Sequence, residues 1–142
     1  MSRARFRQLA IFTLVTMLAV IAWGTFVRAT GSGAGCGNHW PLCNGEALPR
    51  SPTMATVIEL MHRVTGALGG LPVLLQVYFA RRAFAAGHPV RWLSWVTLVL
   101  FAIEGAVGAG LVKFEVVASD ASIARAYWMS AHLINTFMLV AT

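Results

Sequence analysis

Glu59 and His62 stand three residues apart in an otherwise apolar stretch, and a second isolated histidine, His132, lies in another such stretch seventy residues later. Residues three apart share one helix face, and ionisable side chains inside apolar spans are costly enough to be functional candidates by default. Two imidazoles projecting from facing helices suit axial ligation of a heme iron, with the porphyrin held between the helices. A carboxylate one turn from the first imidazole suits proton acceptance or the steadying of positive charge. The plainer reading is a pair of hydrogen-bonded histidines near helix ends. Zinc is the rival metal and needs a further ligand, for which His39 offers itself. Cys36 and Cys43 are the only cysteines. They suit either a disulfide that fixes a loop or a strained bridge that exchanges thiols, although their spacing is not the Cys-x-x-Cys of dithiol catalysts.

The elements that must position these residues are membrane spans. Charged residues make up 11% of the 142 residues, hydrophobic residues 58%, and the mean hydropathy is +0.70. Soluble domains carry about 25% charged residues, so a soluble globular enzyme, a disordered tail and a collagen-like rod are excluded. Apolar runs at 9–27, 56–80, 92–112 and 127–142 approach the roughly 20 residues that cross a bilayer as helix. The expected fold is all-α, a polytopic four-transmembrane-helix bundle forming one unit over 1–142, with 28–55 as a long first loop. The last run, about 24 Å long as helix, is short for a bilayer and no cation follows it. This predicts that the chain is the first half of a longer protein.

Charge placement sets the expected direction. The net charge is +6, and ten of the eleven cations are arginine. They gather at the ends of apolar runs rather than on one basic face, which fits membrane lipid as partner and no nucleic acid. Arg3, Arg5, Arg7, Arg81, Arg82 and Arg91 lie in segments without acids, whereas Arg28, Arg50, Lys113 and Arg125 share theirs with Glu46, Glu115 and Asp120. The N-terminus is therefore expected in the cytoplasm and the Cys36–Cys43 loop outside. Glu104 sits within Ile103-Glu104-Gly105-Ala106-Val107-Gly108-Ala109-Gly110. Small residues at this spacing let helices approach closely or leave room for a flat ligand, and Gly66, Gly69 and Gly70 invite the same two readings. Glu104 itself is either a proton-handling group or a partner for a neighbouring donor. Arg28, Arg63 and Arg125, near the outer helix ends, suit heme propionates or interfacial snorkelling.

The segments Val27-Arg28-Ala29-Thr30-Gly31-Ser32-Gly33-Ala34-Gly35-Cys36, Trp40-Pro41-Leu42-Cys43-Asn44-Gly45 and Glu59-Leu60-Met61-His62-Arg63 resemble the N-terminal half of the heme A synthase family, as do Glu104-Gly105-Ala106-Val107-Gly108 and Ala131-His132-Leu133. The resemblance implies two similar four-helix bundles in the plasma membrane that oxidise the C8 methyl of heme O to the formyl of heme A for cytochrome oxidase assembly. It implies that His62 and His132 are the axial ligands of the substrate heme, that Glu59 is the catalytic carboxylate, and that Cys36 and Cys43 aid transfer of heme or reducing equivalents. It also implies a heme b held by a second bundle, supplied by a longer chain or by another copy, with heme O synthase and cytochrome oxidase assembly factors as partners. Glu104 stands where much of the family carries Gln. The alternatives are a heme-binding or electron-transfer module without turnover, and a membrane thiol oxidoreductase using Cys36 and Cys43.

Overall fold

A computed structural model describes residues 2–142. Four helices follow in chain order: α1 Arg3–Ala29, α2 Met54–Ala83, α3 Pro89–Lys113 and α4 Ile123–Val140. Each contains the greater part of one expected apolar run, and α1 to α3 extend beyond theirs at both ends. The extensions follow from capping. Ser2, Thr53 and Ser122 accept backbone N–H groups of Arg5, Thr56 and Arg125 with their hydroxyls, and His88 accepts that of Val90, satisfying donors that a helix leaves unpaired at its start. Ser122 thus starts α4 four residues before the apolar run, and the helix closes at Val140 rather than Thr142. Among the described residues the chain is helical with no strands; Cys43 and Glu46 form an isolated bridge in the first loop.

Only α1 and α3 are long and apolar enough to cross a membrane by length and composition. In α2 the apolar run is broken by Glu59, His62, Arg63 and Gln76, and in α4 by Ser130, His132, Asn135 and Thr136. Those polar residues turn toward neighbouring helices or the loop in most cases: Glu59, Gln76, Asn135 and Thr136 are buried. The chain is a helical membrane bundle in which α1 and α3 are the more apolar helices, although α3 carries Glu104, and α2 and α4 carry more polar groups inward.

The order of packing is a ring. α1 lies along α2, α2 along α3 and α3 along α4, with a thinner seam between α4 and α1, while α2 and α4 face each other across the bundle. Met17, Val73, Leu100 and Leu139, one from each helix, form the buried apolar cluster. They run from the middle of α1 and α3 (Met17, Leu100) toward the end away from the first loop (Val73, Leu139), so that part of the bundle is plugged by hydrocarbon. Glycines set the helix spacing there: a methyl at Gly69 would come 2.9 Å from the Met17 side chain, and one at Gly70 3.1 Å from Phe101. These two are packing glycines. The same end gathers the N-terminus and the α2–α3 connection, with the Phe6 and Phe84 rings 5.1 Å apart edge to face.

Candidate functional site

His62 follows the Thr53 cap by nine residues, His132 follows the Ser122 cap by ten, and Glu104 precedes the end of α3 by nine. At 1.5 Å per residue all three sit about 14 Å inside the bundle from the disulfide-loop end. The matched depth expected of the two histidines is present, on the two helices that face each other across the ring. His62 lies within electrostatic reach of His132 and Glu104. Both imidazoles have a shielded Nδ1 with no hydrogen-bond partner.

Each ring also faces a glycine. A methyl on Gly24 of α1 would stand 2.9 Å from His62 Cε1 and 3.1 Å from Nε2, and one on Gly108 of α3 would stand 3.9 Å from His132 Cε1 and Nε2. The small-residue stripe on α3 therefore divides its labour. Gly110 makes room for Trp128, whose ring would come within 2.6 Å of an added methyl, Gly108 borders His132, and Gly105 faces open space. Two imidazoles whose Nδ1 atoms make no hydrogen bond to protein, each ring bordered by a missing side chain, fit a flat group bound through iron. No group of three His, Cys, Asp or Glu among the described residues could hold a metal ion, so the zinc reading with His39 finds no ligand set.

Glu104 ties α3 to α4 beside His132. Asn135 Nδ2 donates to its Oε2 at 2.6 Å and the Thr136 hydroxyl to its Oε1. His132 Nδ1 lies 3.1 Å from the same Oε1, out of line for a hydrogen bond. Asn135 also donates to the Leu100 carbonyl at 2.9 Å, which ties α4 to α3 beside the site. Asn135 and Thr136 were absent from the sequence-based candidates, although their position three and four residues after His132 places them on its face.

Glu59 is 3% exposed and turns to the loop rather than into the gap between helices. Its Oε2 accepts the Cys36 backbone N–H at 2.8 Å, and its Oε1 accepts Arg63 Nε at 3.1 Å and Nη2 at 2.5 Å. Arg63 Nη1 donates to the carbonyls of His39 and Leu42 at 2.6 and 2.7 Å. Four of the five guanidinium N–H groups are thus committed to the loop and to Glu59, so Arg63 is a loop clamp and not a free propionate partner. Arg125 donates to the Asp120 carbonyl at 2.5 Å, and Arg28 is exposed with no hydrogen-bond partner among the described residues.

Cys36 and Cys43 form a disulfide, and both are fully buried. The loop it closes is held down on α2 by more than the Arg63 clamp. Thr56 donates to the Gly35 carbonyl at 2.8 Å, and a methyl at Gly35 would fall 2.4 Å from the Ala55 backbone. A thiol-exchange role would need sulfur within reach of a partner, and this bridge is covered. The loop also touches the α3–α4 connection, where Asn38 Nδ2 donates to Glu115 at 2.9 Å.

The profile of the COX15-CtaA family, described as a cytochrome oxidase assembly protein, matches residues 7–56 and 50–142. The chain is 47% identical over 128 residues to a protoheme IX farnesyltransferase of Thermus thermophilus, covering 90% of this chain and 21% of that protein. It is 32% identical over 136 residues to a heme A synthase of Alkalihalophilus pseudofirmus, covering 96% of this chain and 45% of the relative. With a heme A synthase of Geobacillus kaustophilus the identity is 39% over 100 residues, 70% of this chain and 32% of the relative. The chain therefore spans less than half the length of these relatives. No solved structure matches it.

Proposed function

Because this chain belongs to the COX15-CtaA family of cytochrome oxidase assembly proteins, the heme A synthase family, we propose that it forms the substrate-heme bundle of a membrane oxidoreductase converting heme O to heme A. The observation that carries this reading is the pair of imidazoles at one depth on α2 and α4, each with a shielded Nδ1 that makes no hydrogen bond to protein. His62 and His132 would hold the heme iron. The bound heme supplies an iron and a conjugated ring from which electrons can be withdrawn. Oxidation of the C8 methyl to formyl takes one oxygen from water and gives up four electrons and four protons, the electrons passing to an acceptor outside this chain.

The residues of the chain hold, orient and exclude water. Glu104, near Nδ1 of His132, directs the other imidazole nitrogen to the iron, as outer carboxylates do for metal-bound histidines. The hydrocarbon plug of Met17, Val73, Leu100 and Leu139 closes the bundle toward its far end. Glu59, one turn from His62, is the carboxylate this reading assigns to catalysis; it fixes the disulfide loop over the same end, and its charge reaches the ring only once Arg63 lets go. Proton acceptance at Glu59 requires release of the Cys36 N–H. Arg28 and Arg125, at the loop end of α1 and α4, are the cations left for propionates.

The second bundle, with its heme b, comes from a longer chain or from another copy. The placement of acid-free arginine segments at one end supports a cytoplasmic N-terminus and an extracytoplasmic disulfide loop in the plasma membrane. Heme O synthase and cytochrome oxidase assembly factors are the partners this reading implies. The Thermus relative carries a farnesyltransferase name, and the matched stretch is 21% of its length.

The test is heme analysis of the full-length protein in cells that make heme O, with Glu59→Gln, His62→Ala and His132→Ala. Loss of bound heme O and heme A with retention of heme b in both histidine variants, and loss of heme A in Glu59→Gln, are expected. Wild-type heme A yield from Glu59→Gln overturns the role of Glu59. Unchanged heme content in both histidine variants overturns the ligand pair.

A further inference from the structure

The end of the bundle away from the disulfide loop gathers Arg3, Arg5, Arg7, Arg81, Arg82 and Arg91, and none of the five carboxylates lies in these segments. Where the chain turns from α2 into α3, a cleft of about 240 Å³ opens between Arg81, His88, Arg91, Trp92 and Trp95. The Arg81 guanidinium lies 5.1 Å over the Trp95 ring, a cation–π arrangement that holds the charge beside the cleft. Neither Arg81 nor Arg91 donates a side-chain hydrogen bond or pairs with a carboxylate among the described residues. His88 accepts the Val90 N–H at Nδ1, which leaves Nε2 as the donor nitrogen of the neutral ring.

We propose that this cleft binds the phosphodiester head group of an anionic phospholipid. Two guanidiniums and an imidazole N–H match the acceptors and charge of a phosphodiester, and basic pockets between membrane helices are sites for such head groups. The surroundings favour a lipid over free phosphate. Trp92 is 67% and Trp95 42% exposed, and with Val99 they continue along one open face of α3. Indoles at this level occupy the interface between head groups and hydrocarbon, and the apolar face beyond them suits an acyl chain. The lipid thereby brings one negative charge to a cluster with no internal counter-charge and fixes the height of the α2–α3 turn.

The test uses the intact protein in detergent micelles, with tryptophan quenching by brominated phosphatidylglycerol and by brominated phosphatidylcholine. Phosphatidylglycerol is expected to bind at least about fivefold more tightly. The Arg81→Gln/Arg91→Gln pair should bring that ratio close to one, while Arg5→Gln/Arg7→Gln, which removes the same charge from the same end outside the cleft, should leave it within about twofold. No preference in the wild type, or equal loss in both pairs, overturns the site. Replacing chloride with inorganic phosphate at constant ionic strength should leave the preference unchanged, and displacement by phosphate overturns its assignment to lipid.

Discussion

Glu104 on α3 brings Oε1 to 3.1 Å from Nδ1 of His132 on α4, and this approach determines which imidazole nitrogen is left for a ligand. With Nδ1 turned toward the carboxylate, Nε2 lies on the side bordered by Gly108. Asn135 and Thr136 hold the carboxylate in turn, so three polar residues on two helices set one ring. Outer partners of metal-bound histidines are worth about 10–100-fold in affinity. Glu104→Ala is therefore expected to weaken heme binding by that factor while helicity is retained. Spectrophotometric heme titration checks it, and an unchanged affinity refutes the orienting role.

The Glu59–Arg63 pair predicts a different kind of failure. Arg63 reaches the carboxylate and two loop carbonyls at once, which a lysine ammonium does not reproduce. Arg63→Lys is expected to lower stability by about 1–3 kcal/mol through the unmade bonds. It should also speed reduction of the Cys36–Cys43 disulfide, because the bridge is covered only while the loop stays down. Arg63→Met, which leaves a buried carboxylate unpaired, is expected to cost about 3–5 kcal/mol. Detergent melting curves and the rate of labelling after mild reductant measure both effects. Wild-type reduction kinetics in Arg63→Lys would show that the clamp does not guard the bridge.

Much of the arrangement was legible in the chain because lipid leaves few options. Long apolar runs become helices, matched histidines at one depth mark a site, and two lone cysteines in a loop form a bridge. Arg63 was not legible as a clamp. Its acceptors include the backbone carbonyls of His39 and Leu42, which exist at every residue and leave no mark in a sequence. Gly24 was missed because nothing along α1 says which face meets α2. Its meaning depends on His62, thirty-eight residues later. Asn135 and Thr136 carried a helical-spacing signal toward His132 but point to Glu104, a partner named only by the crossing of two helices.

Two glycines separate overpacking that strains the backbone from overpacking that moves a side chain. At Gly35 an added methyl would meet the Ala55 carbonyl carbon and oxygen at 2.4 Å and the Thr56 nitrogen at 2.6 Å. Backbone in the first turn of α2 cannot swing aside, so Gly35→Ala is expected to cost about 3 kcal/mol or to lift the disulfide loop. A fall in melting temperature with faster disulfide reduction is the outcome to look for. An unaltered melt would mean that the loop tolerates a shift of several tenths of an ångström.

At Gly24 the neighbour is the His62 ring, 2.9 Å from the added methyl at Cε1, and a ring can turn about its side-chain bonds. Within α1, five residues before its end, an alanine also favours helix over glycine by up to about 1 kcal/mol. The two effects act on different quantities. Gly24→Ala is expected to melt at or above the wild-type temperature, because the helix gains and the ring yields. The displaced imidazole no longer holds its position opposite His132, so low-spin heme absorption should fall although the fold is intact. Gly24→Ala with full heme absorption would show that His62 needs no open space against α1, and that its ligand geometry is set from α2 alone.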